Sequence, residues 1–180
     1  MQNLKDILFG VSLQEVICST DLNVKGLAFD SRKVAEDFCF VAQKGVHQDG
    51  HDYISKAIEL GAIAIVCEDL PDEIKPGITY LRTNDASKAL GFLAGNFYKN
   101  PSKELKLIGI TGTNGKTTCA TLLHQLFKTL GYQVGLISTV VNKIGDEEVP
   151  ATHTTPDALS INALLNNMLL KGCSHVFMEV

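Results

Sequence analysis

The sequence has no stretch near the ~18 consecutive apolar residues of a membrane helix; its longest apolar run is the six residues Ala62–Cys67. The opening MQNLKDILFG has no basic start, no long apolar stretch and no small-residue cleavage site, so no secretion signal is expected there. Cys-x-x-Cys is absent. The five cysteines, Cys18, Cys39, Cys67, Cys119 and Cys173, are odd in number and widely spaced. That pattern argues against a disulfide framework or a cysteine-built zinc site and favours small buried thiols in a reducing compartment. Positive charge is in deficit, with 16 Lys and Arg against 20 Asp and Glu and a net charge of −4. A broad electrostatic grip on nucleic acid is therefore not expected, although local basic sites stay open. Internal repeats, low-complexity tracts and a Gly-x-Ser-x-Gly nucleophile elbow are all lacking.

The 180 residues are 45% hydrophobic and 20% charged, a globular composition long enough for one domain or two small ones. The polar stretch Lys99–Lys103 divides them, because Pro101 disfavours helix at Asn100. Two domains are expected, 1–100 and 101–180. In the first, Val24–Phe29, Phe38–Ala42, Ala62–Val66 and Thr79–Arg82 read as strands. His51–Leu60 and Asp85–Tyr98 read as helices from their apolar spacing. In the second, strands are expected at Leu105–Ile110, Gln133–Ser138 and Ser174–Val180. A helix over Lys116–Leu130 would bury Leu122, Leu123, Leu126, Phe127 and Leu130. A second helix would start at Thr155-Pro156-Asp157 with Thr155 as cap. Residues 139–155 read as a long loop.

This order implies an α/β fold, with a small mixed α/β N-terminal domain followed by a parallel-sheet phosphate-loop domain. Three strands are few for a parallel sheet buried on both faces, and the last one stops at Val180. The expectation is a truncated second domain with Ser174–Val180 as an exposed sheet edge.

The strongest chemical signal is Gly109-Ile110-Thr111-Gly112-Thr113-Asn114-Gly115-Lys116-Thr117-Thr118, between a strand and a helix. Glycines let the backbone turn tightly and aim N–H groups at phosphate oxygens, and the helix start adds partial positive charge. Lys116 suits the β- and γ-phosphates, and the Thr117 hydroxyl suits Mg²⁺. Ile110 stands where the strict phosphate-loop pattern has glycine, so this is the variant G-x-x-G-x-x-G-K-T. Val176-Phe177-Met178-Glu179 is an apolar strand ending in a carboxylate, which would place Glu179 near the metal. Thr152-His153-Thr154-Thr155-Pro156-Asp157 reads as a cap or as an anion contact. Asp30-Ser31-Arg32 reads as a turn or a binding site. His47 and His51 lack the glutamate of a zinc-protease pair and fit a polar loop better.

The run TGTNGKTT at 111–118 resembles the ATP loop of the Mur ligases, which add amino acids to the peptidoglycan precursor. FDSRKV, FVAQKGVHQDGHDYI and AIELGAIAIV are similar to the family's uridine-nucleotide domain. HTTPD and FMEV point to the branch that adds a diamino acid to UDP-MurNAc-L-Ala-D-Glu. The resemblance implies a cytoplasmic, ATP- and Mg²⁺-dependent carbon–nitrogen ligase acting through an acyl phosphate. Its implied substrates are the UDP-MurNAc-dipeptide and a diamino acid, meso-diaminopimelate before L-lysine, with no nucleic-acid or membrane partner. Carried over by motif, Gly112, Thr113, Asn114, Gly115, Lys116, Thr117 and Thr118 bind ATP, with Lys116 catalytic. Thr117 and Glu179 hold the metal. Phe29, Ser31, His47 and Gln48 lie by the uridine nucleotide, and His153, Thr154 and Thr155 contact the muramoyl peptide. The family's Ser-Ser-His segment, its carbamylated lysine and its C-terminal domain have no counterpart here, so the chain alone is expected to be inactive. Another Mur-type ligase, a non-catalytic UDP-sugar and ATP binding module, and a switch NTPase stand as alternatives. The FDSR and HQDGH segments speak against the last of these.

Overall fold

The computed structural model describes residues 1–45, 48–150 and 157–180. The chain divides into two compact units, Met1–Phe97 and Tyr98–Val180. Among the described residues no helix is long and apolar enough to cross a membrane.

The first unit opens with β1 (Gln2–Asn3), α1 (Leu4–Ile7), β2 (Leu13–Ile17), β3 (Asn23–Val24) and β4 (Gly26–Ala28). It continues through β5 (Phe38–Val41), α2 (Ile54–Glu59), β6 (Ala62–Cys67), β7 (Thr79–Thr83) and α3 (Ala86–Phe97). The sheet runs β2-β7-β6-β5-β4, and only β2 is antiparallel to its neighbour. The strand β6 is apolar throughout because it is central and covered on both faces. Phe40, Ile65 and Tyr80 form the heart of the core, with Ile54 and Ala57 of α2 laid over them. The strand expected over Val24–Phe29 is split into β3 and β4, which pair with different partners.

The second unit contains β8 (Lys106–Ile110), α4 (Lys116–Thr129), β9 (Val134–Ile137), β10 (Val141–Ile144), β11 (Glu147–Pro150), α5 (Ala158–Leu170) and β12 (His175–Glu179). Its sheet order is β11-β10-β9-β12-β8, with β9, β12 and β8 parallel. Alternate residues serve opposite faces. Phe177, Val134 and Leu136 pack with Ala120 of α4, and Val176 and Ile137 pack with Leu165 and Met168 of α5.

Four expectations are corrected here. The sheet has five strands, not three, because residues 141–150 form a hairpin rather than loop. Its turn is the two-residue Gly145-Asp146, with Gly145 at φ +61°, a conformation that suits glycine in a tight hairpin. The strand β12 is interior, and β8 and β11 are the edges. In α4 the sheet-facing stripe is Ala120, Leu123, His124 and Phe127, whereas Leu122, Leu126 and Leu130 are 59, 52 and 62% exposed. The apolar arc of this helix extends past the arc that the sheet covers, so periodicity placed its centre wrongly. The helix α5 starts at Ala158 and not at Pro156. Asp157 caps it, accepting from the Ser160 N–H at 2.9 Å and the Ser160 hydroxyl at 2.7 Å. Thr155 lies outside the described residues. Replacing Asp157 by Ala is expected to cost about 1 kcal/mol, read as a lower urea midpoint.

His124 is buried, and its Nε2 has no hydrogen-bond partner among the described residues. Burial first, then the charges of Lys143 and Lys128, push its pKa below the ordinary 6.5. The unfolded chain therefore binds a proton that the folded chain refuses as pH falls below 6.5. Stability of the second unit is expected to fall in that window and to level off below the folded pKa. Amide exchange on β9 at pH 7.5 and 5.5 measures this, and His124→Leu should shrink the difference, the remainder coming from His175, whose pKa burial also lowers.

Candidate functional site

In the second unit the loop 111–115 leaves the carboxyl end of β8 and enters α4. Gly115 caps that helix at φ +78°, a left-handed conformation that favours glycine. A Cβ there would meet nothing within 4 Å, so the requirement is on the backbone angle and not on space. Gly115 offers no side-chain cap, which leaves the first N–H groups of α4 open to an anion. Half-buried Lys116 folds back over the loop and donates to the Gly112 carbonyl at 2.7 Å.

Sheet register joins this loop to a carboxylate. Glu179 pairs with Ile110, so β12 ends beside the point where the loop begins. The Thr117 hydroxyl donates to Glu179 Oε2 at 3.0 Å. Thr139, just beyond β9, donates to the same oxygen through its N–H and its hydroxyl, both at 3.2 Å. Burial pushes the Glu179 carboxyl up. The Thr139 N–H, the Thr117 and Thr139 hydroxyls and the Lys116 charge outweigh that, and the net shift is downward. Glu179 is therefore ionised at neutral pH. An ionised carboxylate next to a hydroxyl is a hard oxygen pair, which fits Mg²⁺, an ion that takes few protein ligands and completes its shell with water and phosphate. Among the described residues there is no larger cluster of metal-binding side chains. Thr139 was missed from the sequence. Its signal is its place at the carboxyl end of a parallel strand, where open α/β sheets put ligands.

The first unit carries a cavity of about 640 Å³ at the carboxyl ends of β4 and β5. Phe29, Asp30, Ser31 and Arg32 follow β4, and Gln43, Gly45, Gln48 and Gly50 follow β5. Tyr53 and Lys56 close one side, and Phe40 reaches it from the core. Asp30 accepts from the Arg32 backbone N–H at 3.0 Å and grips its guanidinium through Nε at 2.9 Å and Nη2 at 2.7 Å. The side-chain bond to Arg32 holds the Asp30 carboxyl down at about 2, against an opposing effect of burial. Aromatic side chains, amides and the ammonium of Lys56, with Arg32 paired to Asp30, suit a planar polar ring carrying an anionic group.

Of the residues expected at a nucleotide site, Phe29, Ser31 and Gln48 line this one cavity. His47, His153, Thr154 and Thr155 lie outside the described residues. Gln43, Tyr53 and Lys56 were not anticipated, because topology rather than spacing brings them to the strand ends. Both ring nitrogens of His51 are engaged, Nδ1 with Asp49 and Nε2 with backbone N–H groups, so it has no free lone pair for a metal.

Residues 23–98 match the Mur ligase family, catalytic domain, and residues 110–180 match the Mur ligase middle domain. The chain is 52% identical over 178 residues to the UDP-N-acetylmuramoyl-L-alanyl-D-glutamate--2,6-diaminopimelate ligase of Cytophaga hutchinsonii, covering 98% of this chain and 37% of that protein. It is 49% identical over 177 residues to the protein of the same name from Bacteroides fragilis, covering 98% and 36%. Among solved structures, a ligase of that name superposes with a TM-score of 0.79 at 22% identity, over 99% of this chain and 36% of that one, a likeness of fold. A MurF ligase from Thermotoga maritima in complex with ADP gives 0.59 at 25% identity, over 87% and 32%. The chain thus spans about a third of the length of the curated relatives it matches.

Proposed function

The chain belongs to the Mur ligase family, and from that membership we propose that it forms the nucleotide-binding part of an ATP-dependent amide ligase. The ligase adds diaminopimelate to UDP-N-acetylmuramoyl-L-alanyl-D-glutamate, the reaction in the names of its relatives. The cavity of the first unit takes the uridine diphosphate, with Arg32 and Lys56 toward the phosphates. The loop of the second unit takes ATP. The setting is cytoplasmic.

The D-glutamate carboxylate attacks the γ-phosphorus of ATP, ADP leaves and an acyl phosphate forms. The incoming amine then attacks the acyl carbon, loses a proton and expels phosphate. Loop N–H groups and Lys116 stabilise the charge on the transferring phosphoryl group. Thr117 and Glu179 would hold Mg²⁺, which when bound neutralises phosphate charge. Thr139 keeps Glu179 aimed at Thr117. His153, Thr154 and Thr155 are assigned to the muramoyl peptide by motif.

The observation that carries this reading is the Thr117–Glu179 hydrogen bond, which joins the phosphate loop to a carboxylate at one end of the sheet. The test incubates the full-length protein with ATP, UDP-MurNAc-L-Ala-D-Glu and meso-diaminopimelate. ADP and UDP-MurNAc-tripeptide should form in equal amounts, and neither should form when the amine or the nucleotide sugar is omitted. ADP production indifferent to both would identify a hydrolytic switch instead. Nucleotide binding without any product would identify a binding module.

A further inference from the structure

Gln43, Gly45, Gln48 and Gly50, between β5 and α2, line the cavity of the first unit, and one side chain ties this stretch to a different strand. His51 Nδ1 lies 2.6 Å from Asp49 Oδ1, which also accepts the His51 backbone N–H at 2.9 Å. Its Nε2 accepts the N–H of Glu68 at 3.0 Å and of Asp69 at 3.2 Å, just past the end of β6. Two donors on Nε2 require a lone pair there, so the ring is the neutral tautomer with its proton on Nδ1. The imidazole is largely enclosed, with its side chain 13% exposed. Lys44, paired with Asp49 across the loop, adds ion pairs to Asp69 at 2.6 Å and Glu68 at 3.5 Å.

What this tie holds is narrow. The Gly45 N–H reaches the Gln48 carbonyl at 2.9 Å, and the Gly50 N–H reaches the Gln43 carbonyl at 2.8 Å. A Cβ on Gly50 would sit 2.7 Å from the Gln43 nitrogen, so the two limbs of the loop touch. Gln43, Gly45, Gln48 and Gly50 all face the cavity.

We infer that His51 is a positioning residue, an imidazole clamp that fixes residues 43–45 and 48–50 against the end of β6 and so shapes the ligand cavity. The inference rests on the proposed uridine-nucleotide reading for its ligand, though not for the clamp itself.

The test uses the 180-residue chain, its His51→Ala variant and, as a second variant that keeps the ring, Asp49→Ala. Uridine 5′-diphosphate is titrated by calorimetry at pH 8, and amide exchange at Glu68 and Asp69 is followed without ligand. At pH 8 both variants should bind about tenfold more weakly than wild type, the scale of losing hydrogen bonds of this kind. His51→Gln, whose side-chain oxygen can accept the two backbone N–H groups in place of Nε2, should recover most of the lost affinity, a rescue that a merely structural residue would not give. Exchange at Glu68 and Asp69 should be faster in His51→Ala. Equal affinities of wild type and His51→Ala, or unchanged exchange, would overturn the clamp. No binding by wild type together with faster exchange would overturn the nucleotide reading and leave the clamp standing.

Discussion

Lys116→Ala is expected to slow ADP formation by the full-length protein on the order of 10²–10³-fold, the loss typical of removing one preorganised group from a developing negative charge. The ammonium is the cation of the loop, and it donates to the Gly112 carbonyl. Removing it therefore disturbs little of the fold. The melting temperature should stay within a few degrees of wild type, and uridine diphosphate should bind the first unit as before. Lys116→Arg should rescue poorly, since a planar fork does not replace a compact point charge at a phosphate. Normal ADP release by Lys116→Ala, with both substrates present, would remove the loop from the mechanism.

Phe40→Ala should destabilise the first unit by about 3–5 kcal/mol, the cost of a large cavity in a packed core. Phe40 is fully buried on β5, which lies between β4 and β6, and packs among Ile65, Tyr80 and Ile54. It also lines the cavity of the first unit, so on the proposed reading the same change is expected to weaken uridine diphosphate binding. Amide exchange on β6 reads the first effect and calorimetry the second. Phe40→Leu keeps most of the volume and should lose much less. A loss under 1 kcal/mol for Phe40→Ala would mean that the core closes over the gap.

Much of this architecture can be read in the sequence where a pattern has one physical meaning. Six apolar residues in β6 demand a strand covered on both faces, and the five buried positions of α3 fall at helical spacing. Strand, glycine turn and Lys-Thr-Thr together fix β8, the loop and the start of α4. Elements held by less evident forces are harder to see. Three of the five residues of the edge strand β2 are exposed, which leaves no alternation to detect. The hairpin of β10 and β11 carries Lys143, Glu147 and Glu148 on its strands and looks like loop, although Gly145-Asp146 is a hairpin turn. Site residues divide in the same way. Gly115, Lys116 and Thr117 are contiguous and legible. Thr139 meets Glu179 only because β9 and β12 are neighbours, and Tyr53 and Lys56 meet Phe29 only through the order of the first sheet.

The loop 111–115 hangs from β8, which among the described residues has a sheet neighbour on one side only. In mechanical terms β8 is a beam clamped along one edge, by the pairs Lys106↔His175 through Ile110↔Glu179. Because the last pair joins the root of the loop to the carboxylate strand, flexing of the beam carries Thr117 and Glu179 together. Thr139 is borne by the next strand inward, itself paired to β12 as far as Ile137↔Met178. Loop root, carboxylate and Thr139 thus share one block of three paired strands, and a push on any one of them is felt by the other two.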